Sequence, residues 1–304
     1  MRYRNLLLFC LLAAVWGSAF VAIKAGLGTP ASPAYFYDAP VLFAALRFDI
    51  AGLVVLGYGA WATERWRPRG RTEWLLVAVG AVFLIAGYHA LLFIGERGTT
   101  SAAAAVIVSL SPVLTTAFAR VLLPEELLTA LGVAGMLLGL AGVAILSRPD
   151  PGNLVGSRFE ALVFGAALCF AFGSVVTRRL EADLPIETME AWSMLGGAAL
   201  MHAGSLGLGE SVSGAPPPAA TAALVYLAVV ASAGGFLVYF DLLDRLGPIE
   251  INLVSYVAPA VAALIGFLAL GEVIDLPTVA GFVVILAGFG LVKRRAIREE
   301  LARR

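Results

Sequence analysis

Residues Val133-Ala134-Gly135 and Leu140-Ala141-Gly142 return, in the same order, as Val279-Ala280-Gly281 and Leu286-Ala287-Gly288. Working outward from these stretches, other matches are polar or helix-breaking rather than merely apolar. Pro112 and Glu125 answer Pro259 and Glu272 at one constant spacing, Trp16-Gly17-Ser18 answers Phe172-Gly173-Ser174, Pro40 answers Pro185, and Gly52 answers Gly197. The chain therefore reads as one unit used twice.

Of the 304 residues, 60% are hydrophobic and 14% charged, far from the composition of a water-soluble domain. A helix needs about 20 mainly apolar residues to cross the hydrocarbon of a bilayer. Such runs are expected at 5–27, 40–62, 73–95, 99–122, 127–147, 159–180, 187–208, 219–245, 249–271 and 277–293. The fold expected is thus an all-α integral membrane protein of ten transmembrane helices. Its organisation is a first five-helix unit at 1–148, a linker at 149–158, a second unit at 159–293 and a basic cytoplasmic tail at 294–304. Five is odd, so the second unit enters the membrane upside down, the inverted repeat on which many secondary transporters are built. The first run has Arg2 and Arg4 ahead of it, as a signal peptide would, but its length and its counterpart in the second unit argue for a retained span.

Short cytoplasmic loops collect Lys and Arg. With the N-terminus inside, the cytoplasmic segments hold sixteen such residues, including the Arg65, Arg67, Arg69, Arg71 cluster and six from Lys293 onward. Both termini are therefore expected in the cytoplasm of a multi-pass cell-membrane protein. Lys plus Arg and Asp plus Glu balance at 21 each, so no field recruits nucleic acid. Cys10 and Cys169 sit in apolar runs, which disfavours disulfide, metal or redox roles.

Polar side chains within a bilayer are costly and face the bundle interior, so they mark the helices that line a path. Spans five and ten carry none between Thr129 and Leu146 or between Val279 and Val292, and are expected to pack outside it. Gly135-xxx-Gly139 fits close approach to a neighbouring span or, alternatively, to a second copy in a homodimer. Ser109, Pro112 and Thr116 share a face of span four, as Asn252, Ser255 and Pro259 share one of span nine. Pro112 and Pro259 are expected to hinge their helices near the midplane.

Arg47 lies roughly 10 Å inside the second span, with Lys24 at a similar level on the first. A buried Arg needs a partner, an anion or the substrate, backbone carbonyls, or Asp49 or Glu96, unless it snorkels to the interface. Asp49 lies about 200° around the helix from Arg47, so one of the two points away from the cavity. His89 and Glu96 share a face of the third span, with Tyr88 adjacent, and His89 is a candidate solute contact or proton relay. Trp16, Trp192, Tyr239 and Tyr256 are candidate walls for an organic solute. The expected substrate-binding set is Trp16, Ser18, Arg47, Tyr88, His89, Ser109, Trp192, Tyr239, Asn252, Ser255 and Tyr256. Glu125 and Glu272 read as helix caps at the starts of spans five and ten.

No G-x-x-x-x-G-K-[ST] loop is present, so energy is expected from a proton or counter-solute gradient rather than from a nucleotide. No HExxH or Cys/His cluster is present, and the two histidines, His89 and His202, lie on different spans. No metal, cofactor or catalytic residue is therefore expected. A membrane-embedded enzyme or a channel on the same bundle is the alternative to a carrier.

The residues quoted resemble a known family. Trp16-Gly17-Ser18 with Phe20 and Lys24, Arg47-Phe48 after Pro40, the mid-helix Pro112 and Pro259, and Glu125 and Glu272 before Gly-rich spans are similar to the drug/metabolite transporter superfamily, in its two-repeat EamA branch. The resemblance implies a permease or exporter of small organic metabolites. Ala19 and Asp49 depart from it, where members often carry Asn and an apolar residue.

Overall fold

The computed structural model of the chain describes residues 2–122, 130–147, 158–180, 182–239, 241–242, 245 and 254–302. Helices α1 (Arg2–Leu27), α2 (Pro40–Ala62), α3 (Arg71–Glu96), α4 (Ser101–Leu122) and α5 (Ala130–Ser147) fill the first half. The second half holds α6 (Arg158–Arg179), α7 (Ile186–Gly207), α8 (Pro218–Tyr239), α9 (Val254–Leu270) and α10 (Leu276–Ala302). Six helices, α1 to α4, α6 and α8, are long and apolar enough to cross a membrane. The apolar parts of α9 and α10 are shorter, Val257–Leu270 and Leu276–Gly288. Leu53, Leu137, Leu264 and Phe267 are exposed on the outer surface, as suits helices solvated by lipid.

Helix α10 continues through the basic segment to Ala302; of the expected linker at 149–158, residues 149–157 lie outside the described residues, as does Glu125. A two-stranded hairpin, Gly28–Thr29 against Ser32–Pro33, links α1 to α2. Proline at its first position starts α2, and its free N–H groups are met from the other half of the chain: Val41 N and Leu42 N donate to the Glu210 carboxylate at 3.1 and 2.8 Å.

Packing repeats with an offset of five. Helix α1 lies against α9 as α6 lies against α4; α3 packs on α6 and α7, as α8 packs on α1 and α2. Helices α2 and α7 pair with each other, and so do α5 and α10. Both of these pairs are antiparallel. Val41 meets Glu210, Gly52 faces Leu195 and Gly59 faces Glu187 along the first; Gly135 and Gly139 face Gly288, and Gly142 faces Gly281 and Ile285, along the second. The small-residue stripe in α5 is thus occupied within the chain.

Two further features match under the same offset. The middle of α3, Gly80–Gly87, and the middle of α8, Tyr226–Gly234, are π-helical. A π turn accommodates an extra residue and breaks the regular hydrogen-bond ladder, and such segments recur at functional sites.

Candidate substrate site

The π segment of α8 anchors the first two helices of the chain. Ser18 Oγ and Tyr226 OH are 2.5 Å apart, Trp16 Nε1 donates to the Ala231 carbonyl at 3.2 Å, and Arg47 Nε donates to Ser232 Oγ at 2.8 Å. Trp16 also packs on Phe236 and Tyr239, with ring centroids 5.9 and 5.4 Å away. Three expected residues from α1 and α2, Trp16, Ser18 and Arg47, therefore meet α8, which itself carries a fourth, Tyr239. Ser232 and Tyr226 were not among those expected. Their signal is weak: a lone Ser and a Tyr in a run of Ala, Val and Gly.

Arg47 is 6% exposed and lies over aromatic faces, with its guanidinium carbon 5.0 Å from the Phe48 ring centre and 5.9 Å from that of Phe93. A guanidinium is attracted to ring faces, and a planar fork suits a carboxylate. Among the described residues only Nε has a hydrogen-bond partner. His89 touches the same aromatic group, 4.3 Å from Phe48 and 4.5 Å from Tyr88, and its Nδ1 lies 2.9 Å from the Ile85 carbonyl inside the π segment of α3. Tyr88 and His89 thus join Arg47 in one cluster.

Neither carboxylate considered for Arg47 pairs with it. Asp49 Oδ2 lies 2.7 Å from His202 Nε2 across the α2–α7 seam, because two residues along a helix turn a side chain to a different neighbour. Glu96, 0% exposed, ends α3 near Lys24, whose ammonium donates to the carbonyls of Glu96 and Thr99, both at 2.7 Å. Glu272 does not cap its own helix. It accepts from Ser101 N and Ser101 Oγ at 3.1 Å and so caps α4 from the other half, while Asp275 accepts from Thr278 N and caps α10.

Other expected residues lie elsewhere. Trp192 Nε1 donates to the Trp66 carbonyl at 2.9 Å and meets Trp74 edge-on, at the end of the bundle where Arg65 pairs with Glu73. It belongs to an aromatic group at that end rather than to the Arg47 cluster. Ser109 is buried with its hydroxyl donated to Val106 O at 2.6 Å in its own helix, and Thr116 is likewise bonded to Pro112 O. Ser255 is half-buried; Asn252 and the side chain of Tyr256 lie outside the described residues. The two prolines behave differently. α4 is interrupted at Ser109–Leu110 and restarts with Pro112 in its first turn, whereas Pro259 lies inside a continuous α9.

Residues 4–148 match the EamA-like transporter family, and residues 158–294 match it a second time. The chain belongs to that family. Its relatives include the uncharacterized inner membrane transporter YedA of Escherichia coli (strain K12), 30% identical over 88% of this chain and 84% of that protein. A probable terminal-alkyne amino-acid exporter of Streptantibioticus cattleyicolor is 28% identical over 93% of this chain and 91% of that one. A solved crystal structure is similar at 25% identity with a TM-score of 0.66, covering 99% of this chain and all of the other. Family membership and the apolar helices together make this a multi-pass membrane protein of the EamA transporter group.

Proposed function

We propose that the chain is a secondary transporter in which two inverted five-helix units of ten spans alternate access to a small organic metabolite in the cytoplasmic membrane. The carrying observation is the packing of α2 and of α5 antiparallel on their own counterparts, α7 and α10. Two units related in this way can exchange conformations, so that one architecture supplies an inward-open and an outward-open state. The units are taken as 1–148 and 159–293, with cytoplasmic termini. Comparing the metabolite content of cells and medium with and without the protein tests the reading; identical profiles under every growth condition would count against a carrier.

The solute class that suits the Arg47 cluster is a carboxylate with an apolar body, such as an amino acid. The two terminal nitrogens of Arg47 face the carboxylate as a fork, and Trp16, Phe236 and Tyr239 supply apolar surface nearby. The similarity to an exporter named for an amino acid supports this class.

The architecture can be probed at its bend and at its outer loop. Pro112→Ala joins the two pieces of α4 into one helix and lowers transport roughly tenfold, equivalent to about 1.4 kcal/mol of barrier, without loss of folded protein. Pro259→Ala has a smaller effect, since α9 is already continuous; normal transport by both variants would remove the hinge reading. The 208–217 loop, tied to α2 through Glu210 and to Tyr35 through the Gly214 carbonyl, lies outside the cell in this reading. A cysteine placed at Ser213 will react with a membrane-impermeant thiol reagent in intact cells. Labelling only after permeabilisation would reverse the orientation.

A further inference from the structure

Glu96 ends α3 fully buried, and neither carboxylate oxygen has a hydrogen-bond partner among the described residues. A carboxylate taken out of water without donors costs several kcal/mol, so such a group is either held by a cation or carries a proton. Neither nearby cation bonds the carboxylate itself. Lys24, from α1, is bonded to the Glu96 and Thr99 carbonyls, and Arg47, from α2, is bonded to Ser232. Glu272, from the segment between α9 and α10, adds like charge while bound to Ser101, and Glu160 of α6 lies beside Thr99. On α3 itself, His89 is bonded to the Ile85 carbonyl.

We propose that Glu96 is a proton-exchange site that couples solute movement to a proton gradient. It carries a proton in this arrangement and releases it when Lys24 swings from the Glu96 carbonyl to the Glu96 carboxylate. The O–H bond of the carboxyl breaks, its electron pair stays on the carboxylate, and the proton forms a new O–H bond with water on the opened side. The swing moves the ammonium between two groups of one residue, whose carbonyl it already holds. Lys24 also stands about 12 Å along α1 from Trp16, so a movement of α1 at the solute cluster reaches it directly. A metal cation fits less well, since it would add charge beside Lys24 and Arg47, whereas a proton removes charge.

The inference rests on the carrier reading, and two measurements keep the two apart. Infrared difference spectra of the full chain in lipid vesicles, stepped from acid to alkaline pH, are expected to show a protonated-carboxyl band that is lost in Glu96→Gln and retained, shifted, in Glu96→Asp. The same band in wild type and Glu96→Gln would overturn the proposal. Vesicles holding a pH-sensitive dye, given a mixture of proteinogenic amino acids, are expected to show solute-dependent proton flux with the wild type. Glu96→Gln loses that flux yet still exchanges labelled for unlabelled amino acid. Wild-type exchange without any proton flux would overturn the coupling role and leave the carrier reading standing, whereas no exchange by either protein would count against the carrier reading, with the infrared band then deciding Glu96.

Discussion

The Gly288→Leu variant is expected not to accumulate in the membrane as folded protein, while Gly290→Leu accumulates normally. A Cβ at position 288 would stand 2.5 Å from the Gly135 carbonyl oxygen and 2.8 Å from the Gly139 nitrogen, whereas at position 290 nothing lies within 4 Å. The obstructing atoms at 288 are backbone, so no rotamer change relieves the clash and α10 must move away from α5. Packing between membrane helices depends on such close approach, because lipid solvates an apolar surface about as well as a neighbouring helix does. Overpacking costs about 1–3 kcal/mol, and leucine at a backbone crossing belongs at the upper end. Gly288→Ala falls between the two. Fluorescence-detected size exclusion of tagged variants measures the outcome, and a monodisperse Gly288→Leu at wild-type yield would show that the α5–α10 seam is dispensable.

Removing the charge at Arg47 is expected to have the largest effect on transport. A charge-assisted hydrogen bond contributes about 1.5–3 kcal/mol, so Arg47→Gln lowers carboxylate transport roughly tenfold to a hundredfold. Arg47→Lys keeps the charge but loses both the fork and the Nε bond to Ser232, and so gives a smaller loss. Analogues lacking the carboxylate are much less affected by either change. Equal loss for every solute, together with less protein in the membrane, would assign Arg47 to holding α2 against α8 instead.

Hydropathy located the spans well where a helix both starts and ends at the edge of its apolar run. The run at 40–62 is the helix Pro40–Ala62, since Pro40 fixes its start. It says less about the length of α10, because hydropathy marks where the apolar stretch ends, and the charged helix formers that follow carry α10 to Ala302. The π segments left no trace in composition: Gly80–Gly87 is as apolar as any regular span, and an extra residue per turn has no side-chain signature. That omission also hid the partner of Arg47. Which face Ser232 presents depends on the rotational phase of α8, which the π segment resets, and the two residues are 185 positions apart. Glu272 was legible as a cap, but its position in sequence pointed to the following helix, whereas its carboxylate meets Ser101, 171 positions away. Trp192 was read as a wall from residue type alone, with nothing in sequence to place it beside Trp66.

Antiparallel packing of α2 on α7 sends equivalent connections to opposite ends of the bundle. The segment after α2 carries Arg65, Arg67 and Arg69, whereas the segment after α7 has no basic residue and uses Glu210 to hold the start of α2. In the inverted arrangement proposed above, the two units share their glycines and their helix partners yet differ in these connections, each carrying the charge suited to its own side. A chimaera of two first halves would keep compatible seams and carry basic address labels on both faces, leaving the membrane no consistent instruction about which way to insert it.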